Sequence, residues 1–408
     1  MTLDPVYLDG IAGLARHIQR DVDPDRHRDL AETVWAEYLD PLYGDDGPVL
    51  EPVGEQTRYS APAADLGVRE RPFDAVHGLD AGTLGPTTFT NGVTLDVAQA
   101  AMAAAPSSLS LHRERTIVTG AHSNDATVDV SADWERLDDE HGRGRVEQVP
   151  AVGRDQHRVV HWLTLYLAES DHAVEHADDV EELLVLDGPL YPTELANWTG
   201  SDRGLAALAA DHDLVAEVVG NYVRLVDRFL DRGVPLAGFV KSGASGALVH
   251  ALPDEVGTPW ANDTAFFRQV LDGAGDDALA WTNWFVSRLG ADGTLATVDV
   301  PGVDRARDPA AYEVAFFVVA DPRTDLSFRV ELPVGFARDD AVRDRIRRYV
   351  LSEVAAERGP PLPVRKADRL ARIGRQEGAS LIDRLESALD SAEDRSYDDQ
   401  RWRTPRGP

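Results

Sequence analysis

Two aspartates close small or apolar stretches in matching ways: Asp80 in GLDAGT (78–83) and Asp187 in LLVLDGPLY (183–191). The run 183–186 has the unbroken apolar character of a strand buried on both faces. A carboxylate at its end costs several kcal/mol unless something compensates it. If the two strands lie side by side, both carboxylates converge at one end of a sheet, and like charges held that close repel unless a divalent cation lies between them. Oxygen-only ligation favours Mg²⁺ or Mn²⁺, the ions of phosphoryl chemistry. Ala81-Gly82-Thr83 and Gly188-Pro189 are small enough to leave room for an ion and a bulky substrate. Asp-Gly after an apolar run is also common turn chemistry, so each aspartate alone reads as a turn. Their paired placement points to a shared cation.

Three extended segments in close succession must position Asp80: VHGLDAGT (76–83), GVTLDVAQAAMAA (92–104) and HRERTIVTGAH (112–122). Turn-type residues join them, which predicts an antiparallel meander. A helix fits 157–170, with Val160, Leu163, Tyr166 and Leu167 on the buried side; the Asp187 strand follows. The clearest amphipathic helix is 213–233, where Leu214, Val218, Tyr222, Leu225 and Phe229 keep the 3.6 period and Gly233 marks the stop. VPLAGFVKSG (234–243) is the next strand. Further on come a helix at 262–273, paired strands at 311–320 and 326–333, a helix from 339 to 357, a PPLP break at 360–363 and a last helix over 367–389. Residues 1–70 read as a helical N-terminal arm, with the Pro- and Gly-bearing stretch 47–62 separating it from 71–390. The polar tail 391–408 reads as disordered. The order predicts an α/β fold with a mixed sheet, an antiparallel three-strand meander beside parallel strands, and flanking helices.

Composition narrows the chemistry. The absence of cysteine excludes disulfides, thiolate zinc sites, iron–sulfur clusters and cysteine nucleophiles. The twelve histidines show no HExxH spacing, and neither a GxSxG elbow nor a GxxxxGK[ST] phosphate loop is present. No segment approaches the 18 apolar residues of a membrane span, and the N-terminus lacks a signal-type h-region, so the expected location is the cytoplasm. Against 71 acidic residues stand 41 basic ones, only two of them lysine, Lys241 and Lys366. This acidic, lysine-poor composition resembles that of proteins from salt-loving archaea. The net charge of −30 does not exclude nucleic acid there, because at about 1 M salt the Debye length is only ~3 Å. Binding in such a medium rests on short-range contacts and metal bridges rather than on counterion release. Trp281 and Trp284 in WTNWF offer stacking surfaces for bases, although core packing is the commoner fate of such a pair.

Taken in order, the Asp80 strand, GVTLDVAQA, the strand ending in DG, GFVKS, the FFVVA and FRVELP strands and the closing LPxxxAD helix resemble the NurA nucleases, proteins with an RNase H-like core. The resemblance covers about 70–390. It implies a manganese-dependent DNA nuclease with 5′ to 3′ exonuclease and single-strand endonuclease activity. It also implies a dimer working with the hexameric HerA translocase in end resection during double-strand break repair. Carried over, Asp80 and Asp187 are metal ligands, and Asp368 in KADRLARI occupies the C-terminal helix position that is often histidine in the family. The family's helix glutamate has no direct match; Glu169 is one candidate and His161 the other. The implied chemistry is two-ion hydrolysis. Lys241 is the expected contact for the scissile phosphate. Arg329 with Glu331 falls in a structural or DNA-path segment, and Lys366 and Arg369 are placed to grip phosphate. The competing reading is a non-catalytic adapter of RNase H-like fold that docks to a translocase; a third is an enzyme acting on RNA or on DNA junctions.

Overall fold

The computed structural model describes residues 5–395 apart from 20–22, 46, 68–70, 126, 129, 138–139, 151–152, 201–202, 242, 244 and 298–301. The meander forms as expected from β1 (Val76–Thr83), β2 (Val93–Ala105) and β3 (Arg115–Ser123), with each neighbour antiparallel. Helix α1 (Gln156–Glu175) then returns the chain to β4 (Leu184–Leu186), and α2 (Asp213–Arg232) leads to β5 (Leu236–Val240). Strand β4 runs parallel to both β1 and β5, because each connection to it is a long helical crossover. The spatial order β3-β2-β1-β4-β5 is that of an RNase H-like core.

Side-chain alternation sorts the two faces. Leu79, Leu184 and Leu186 join Ala98 and Met102 on one face, covered by Val160, Leu163 and Leu167 of α1 and Val218, Leu225 and Phe229 of α2. Val76, Val185 and Phe239 face the other side. There they meet α3 (Asp340–Glu357) through Ile346 and Val350, and α4 (Leu362–Ala371) through Val364. Helix α2 ends where its sequence says it should: Gly233 adopts φ +65°, and its N–H bonds the Leu230 carbonyl.

Beyond β5 the sheet continues antiparallel through Leu326–Pro333 to Val314–Asp321. It then takes up segments that the sequence assigned to a helical arm. Helices Pro5–Gln19 and Pro24–Tyr38 are present, but Gly47–Pro52 pairs with Phe285–Ser287, and Arg58–Pro62 pairs with Ala278–Thr282. The prolines that suggested a linker stand next to strand ends, where a missing N–H does little harm, and Leu50 between them is fully buried.

The expected last helix is two helices. Helix α4 begins inside the PPLP stretch, with Pro363 in its first turn, where proline is tolerated. The chain turns extended at Arg372 and restarts as α5 (Arg375–Leu389). Of the tail, 391–395 is fastened to the turn after Thr87–Thr88: Ser391 Oγ is 3.0 Å from Thr90 Oγ1, and the Asp394 N–H bonds the Thr88 carbonyl. The remainder, 396–408, lies outside the described residues.

Candidate metal centre

The parallel register sets Leu186 beside Leu79, and the Asp187 N–H bonds the Leu79 carbonyl at 2.8 Å. Asp187 therefore lies next to Asp80, on the face that α4 covers. On that face of β1 the residues alternate Val76, Gly78, Asp80, Gly82. A Cβ on Gly78 would lie 2.4 Å from the Pro363 carbonyl carbon, and one on Gly82 would lie 2.7 Å from the Ala371 carbonyl oxygen. Both glycines let the α4 backbone rest directly on the strand, which brings Asp368 to Asp80. Gln99 Nε2 closes the seat by donating to the Leu370 carbonyl at 3.0 Å. The space a Cβ would take at Gly82 is thus filled by helix, while Gly82 itself still lines the cleft beside Asp80. Gly188 serves the turn, since its φ of +153° is one that side chains rarely adopt.

Asp80, Asp187 and Asp368 each offer a carboxylate oxygen, all within 4.8 Å of one another. They line an open cleft of about 470 Å³ together with Thr83, Lys241 and Arg372. Burial, followed by the negative charges of Asp187 and Glu169, pushes Asp80 up to about 8; Lys241 opposes this. Burial also raises Asp187, against the pull of the Lys241 ammonium bonded to its Oδ2. Lys241 and the exposed Arg372 together do not neutralise three carboxylates. A donor set of carboxylate oxygens, short of positive charge and free of imidazole and thiolate, fits a hard divalent cation.

The other expected residues are distributed unevenly. Glu169 stands behind the trio, accepting a 2.5 Å hydrogen bond from the Tyr222 hydroxyl. Burial first and Asp187 second raise it to about 7, opposed by that hydrogen bond. His161 is not one of the residues that meet at the trio; its Nδ1 is 3.1 Å from Asp96 Oδ2. Arg329, expected on a structural or DNA path, is in the interior: its guanidinium pairs with Asp292 at 2.6 Å and Glu331 at 2.8 Å and lies 4.0 Å over the Phe316 ring. A guanidinium committed in this way cannot reach DNA. Lys366 reaches back to the Ala104 carbonyl at 3.2 Å and Ser107 Oγ at 3.0 Å, away from the cleft, while Arg369 is exposed. Trp281 and Trp284 are core residues, 8% and 2% exposed, not stacking platforms. The sequence reading missed Arg372, which lines the cleft one turn after Asp368, 3.7 Å from its carboxylate. The i, i+4 spacing from Asp368 was the available signal.

Fold and site together define an α/β protein of RNase H-like topology with three carboxylates that could hold a cation, one within its first core strand, one just past its fourth and one on a covering helix. The NurA domain family model matches residues 74–373, and the chain belongs to that family. Among solved structures, the NurA nuclease from Sulfolobus solfataricus is 13% identical over 95% of this chain and 98% of that one, with a TM-score of 0.47. A NurA bound to dAMP and manganese is 10% identical over 98% and 99%, with a TM-score of 0.46. A NurA with manganese is 9% identical over 93% and 98%, with a TM-score of 0.45. No curated protein matches the chain. Among the described residues no helix is long and apolar enough to cross a membrane.

Proposed function

We propose that this protein is a metal-dependent DNA nuclease, with manganese, the ion the family resemblance implies, as its working cation. Its activities would be 5′ to 3′ exonuclease and single-strand endonuclease. The observation that carries the reading is the meeting of Asp80, Asp187 and Asp368 within 4.8 Å in an open cleft. Those three residues would hold the cation, with Glu169 as a further candidate for a second ion. A bound cation would supply Lewis-acid polarisation of the phosphoryl group and a water acidified towards neutral pH.

The chain's own residues do the rest. Lys241, held by Asp187, presents an ammonium at the cleft wall, where it would meet a phosphate oxygen of the bound strand. Arg372, mostly exposed at the rim, offers a planar donor edge to an adjacent phosphate. Glu331 accepts from the Leu190 N–H at 2.8 Å and fixes the loop that carries Asp187. The wider assignment follows the family: a homodimer working with a HerA-type hexameric ATPase in DNA end resection for double-strand break repair, in the cytoplasm of a salt-adapted archaeal cell.

The test is incubation of labelled single-stranded DNA with the protein in concentrated salt, with and without Mn²⁺. Metal-dependent shortening that disappears in Asp80→Asn and Asp187→Asn supports the reading. Cleavage that survives either substitution refutes the site, and wild-type inactivity with Mn²⁺ and Mg²⁺ alike favours the adapter reading.

A further inference from the structure

Beside the metal centre lies a second carboxylate-centred group that the nuclease reading does not use. Asp96, on β2, is fully buried, so both its oxygens need donors. Oδ1 takes the Gly85 N–H at 2.9 Å, and Oδ2 faces His161 Nδ1 at 3.1 Å. An ionised carboxylate only accepts, so this contact places a proton on Nδ1 and leaves Nε2 uncommitted. His161 is 31% exposed along its side chain, and no described residue bonds its Nε2. The same Nδ1 is 3.5 Å from Thr83 Oγ1, and Thr83 lines the cleft. Thr83 is the third residue after Asp80 along one strand, about 10 Å away.

Charge placement says what this group is for. The cations in the described cleft lining, Lys241 and Arg372, stand beside Asp187 and Asp368. The Thr83 side has none of its own; His161 is the basic group behind that wall. One turn earlier on α1, His157 Nε2 is 3.0 Å from Thr88 Oγ1, and Gln156 Nε2 donates to Thr94 Oγ1 at 2.7 Å. Arg158 is not available, since Glu194 holds it.

Resting on the nuclease reading, we propose that His161 is a phosphate-binding residue for the DNA strand on the Thr83 side of the cleft, with Asp96 as its positioning residue. With Nδ1–H committed to Asp96, phosphate is bound by the imidazolium form, whose second N–H, on Nε2, donates to a phosphate oxygen while the Asp96 contact limits the freedom the ring has to lose.

The experiment has two readouts. The first is fluorescence anisotropy of a labelled single-stranded oligonucleotide with the metal-free protein in EDTA; the second is steady-state cleavage with Mn²⁺. His161→Ala is expected to weaken oligonucleotide binding about 10-fold or more, the size of a hydrogen bond to a charged group. It should raise KM by a similar factor while kcat stays within about threefold. His161→Gln, which keeps a donor, should recover much of the loss. Asp96→Asn should act in the same direction, and the double variant should be no worse than His161→Ala alone. Thermal melts check folding; if Asp96→Asn does not fold, the two His161 variants decide. Unchanged binding and KM in a wild type that cleaves would overturn the phosphate site and leave the nuclease reading intact, as would a fall in kcat alone. A wild type that binds through His161 without cleaving would refute the nuclease reading instead. Neither binding nor cleavage would refute both.

Discussion

The short loop 187–190 has a cluster of charge at each end, and the two clusters are balanced differently. At its start, Asp187 joins Asp80 and Asp368 with one lysine among three carboxylates. At its end, the Leu190 N–H is held by Glu331, whose carboxylate is itself paired with Arg329, which is paired in turn with Asp292. In the second cluster a buried guanidinium sits between two carboxylates, and its groups bond one another within the chain. In the first, three carboxylates face an open cleft with Lys241 and the exposed Arg372 beside them, and burial with the neighbouring negative charges raises Asp80 to about 8. A buried charge network that closes on itself holds a shape, whereas carboxylates gathered at an open cleft are arranged to receive a cation from outside.

That contrast can be broken most sharply by removing charge from each cluster. Asp80→Asn or Asp187→Asn should cut Mn²⁺-dependent DNA cleavage by roughly 10²–10³-fold or more. The same change should raise the melting temperature of the metal-free protein, because like-charge repulsion is relieved; a fall would place Asp80 among the structural carboxylates. Arg329→Met should do the reverse of that stability gain, leaving Glu331 and Asp292 buried without a partner at a cost of about 3–5 kcal/mol, read by denaturant unfolding. A variant as stable as the wild type would remove the distinction between the clusters.

A smaller effect is expected where the two glycines seat α4. Gly82→Ala puts a Cβ 2.7 Å from the Ala371 carbonyl oxygen. It should cost about 1–3 kcal/mol by overpacking and also lower activity, by shifting Asp368 off Asp80. Full activity with normal stability would show that the close approach is dispensable.

The smallest effect is in pH dependence. Asp80 binds its proton more tightly folded, at about 8, than at its ordinary 3.8. The folded state therefore holds more protons across that window, and stability of the metal-free protein should fall as pH rises from about 4 to 8. Saturating Mn²⁺, which binds the ionised form, should flatten or reverse the slope, as should Asp80→Asn. Melting curves across pH, with and without metal, check this.

Much of the frame was legible in the sequence. Period-2 and period-3.6 patterns marked β1, α2 and the paired strands 314–321 and 326–333, because burying one face of an element writes its period into the chain. The strands at 47–52 and 58–62 were not legible, since the partners that tie them into the sheet, 285–287 and 278–282, lie more than 200 residues away and prolines near their ends look like a linker. Arg329 was misread for a related reason: an arginine in a strand looks the same whether it faces solvent or lies between two carboxylates.

The sequence by itself determined that any metal here is held without thiolate, that Asp80 belongs to the first strand of the meander and Asp187 follows an apolar strand, and that an α/β sheet carries them. Residue type and local period are properties of neighbours along the chain, and those suffice for such statements. Only the tertiary structure decided that Gly78 and Gly82 are a seat for a helix, that this helix delivers Asp368 and Arg372, and that His161 turns to Asp96 rather than to the metal centre. Each depends on contacts between residues far apart in sequence. Whether a missing Cβ is empty space or the place where another backbone rests is settled only when the layers pack.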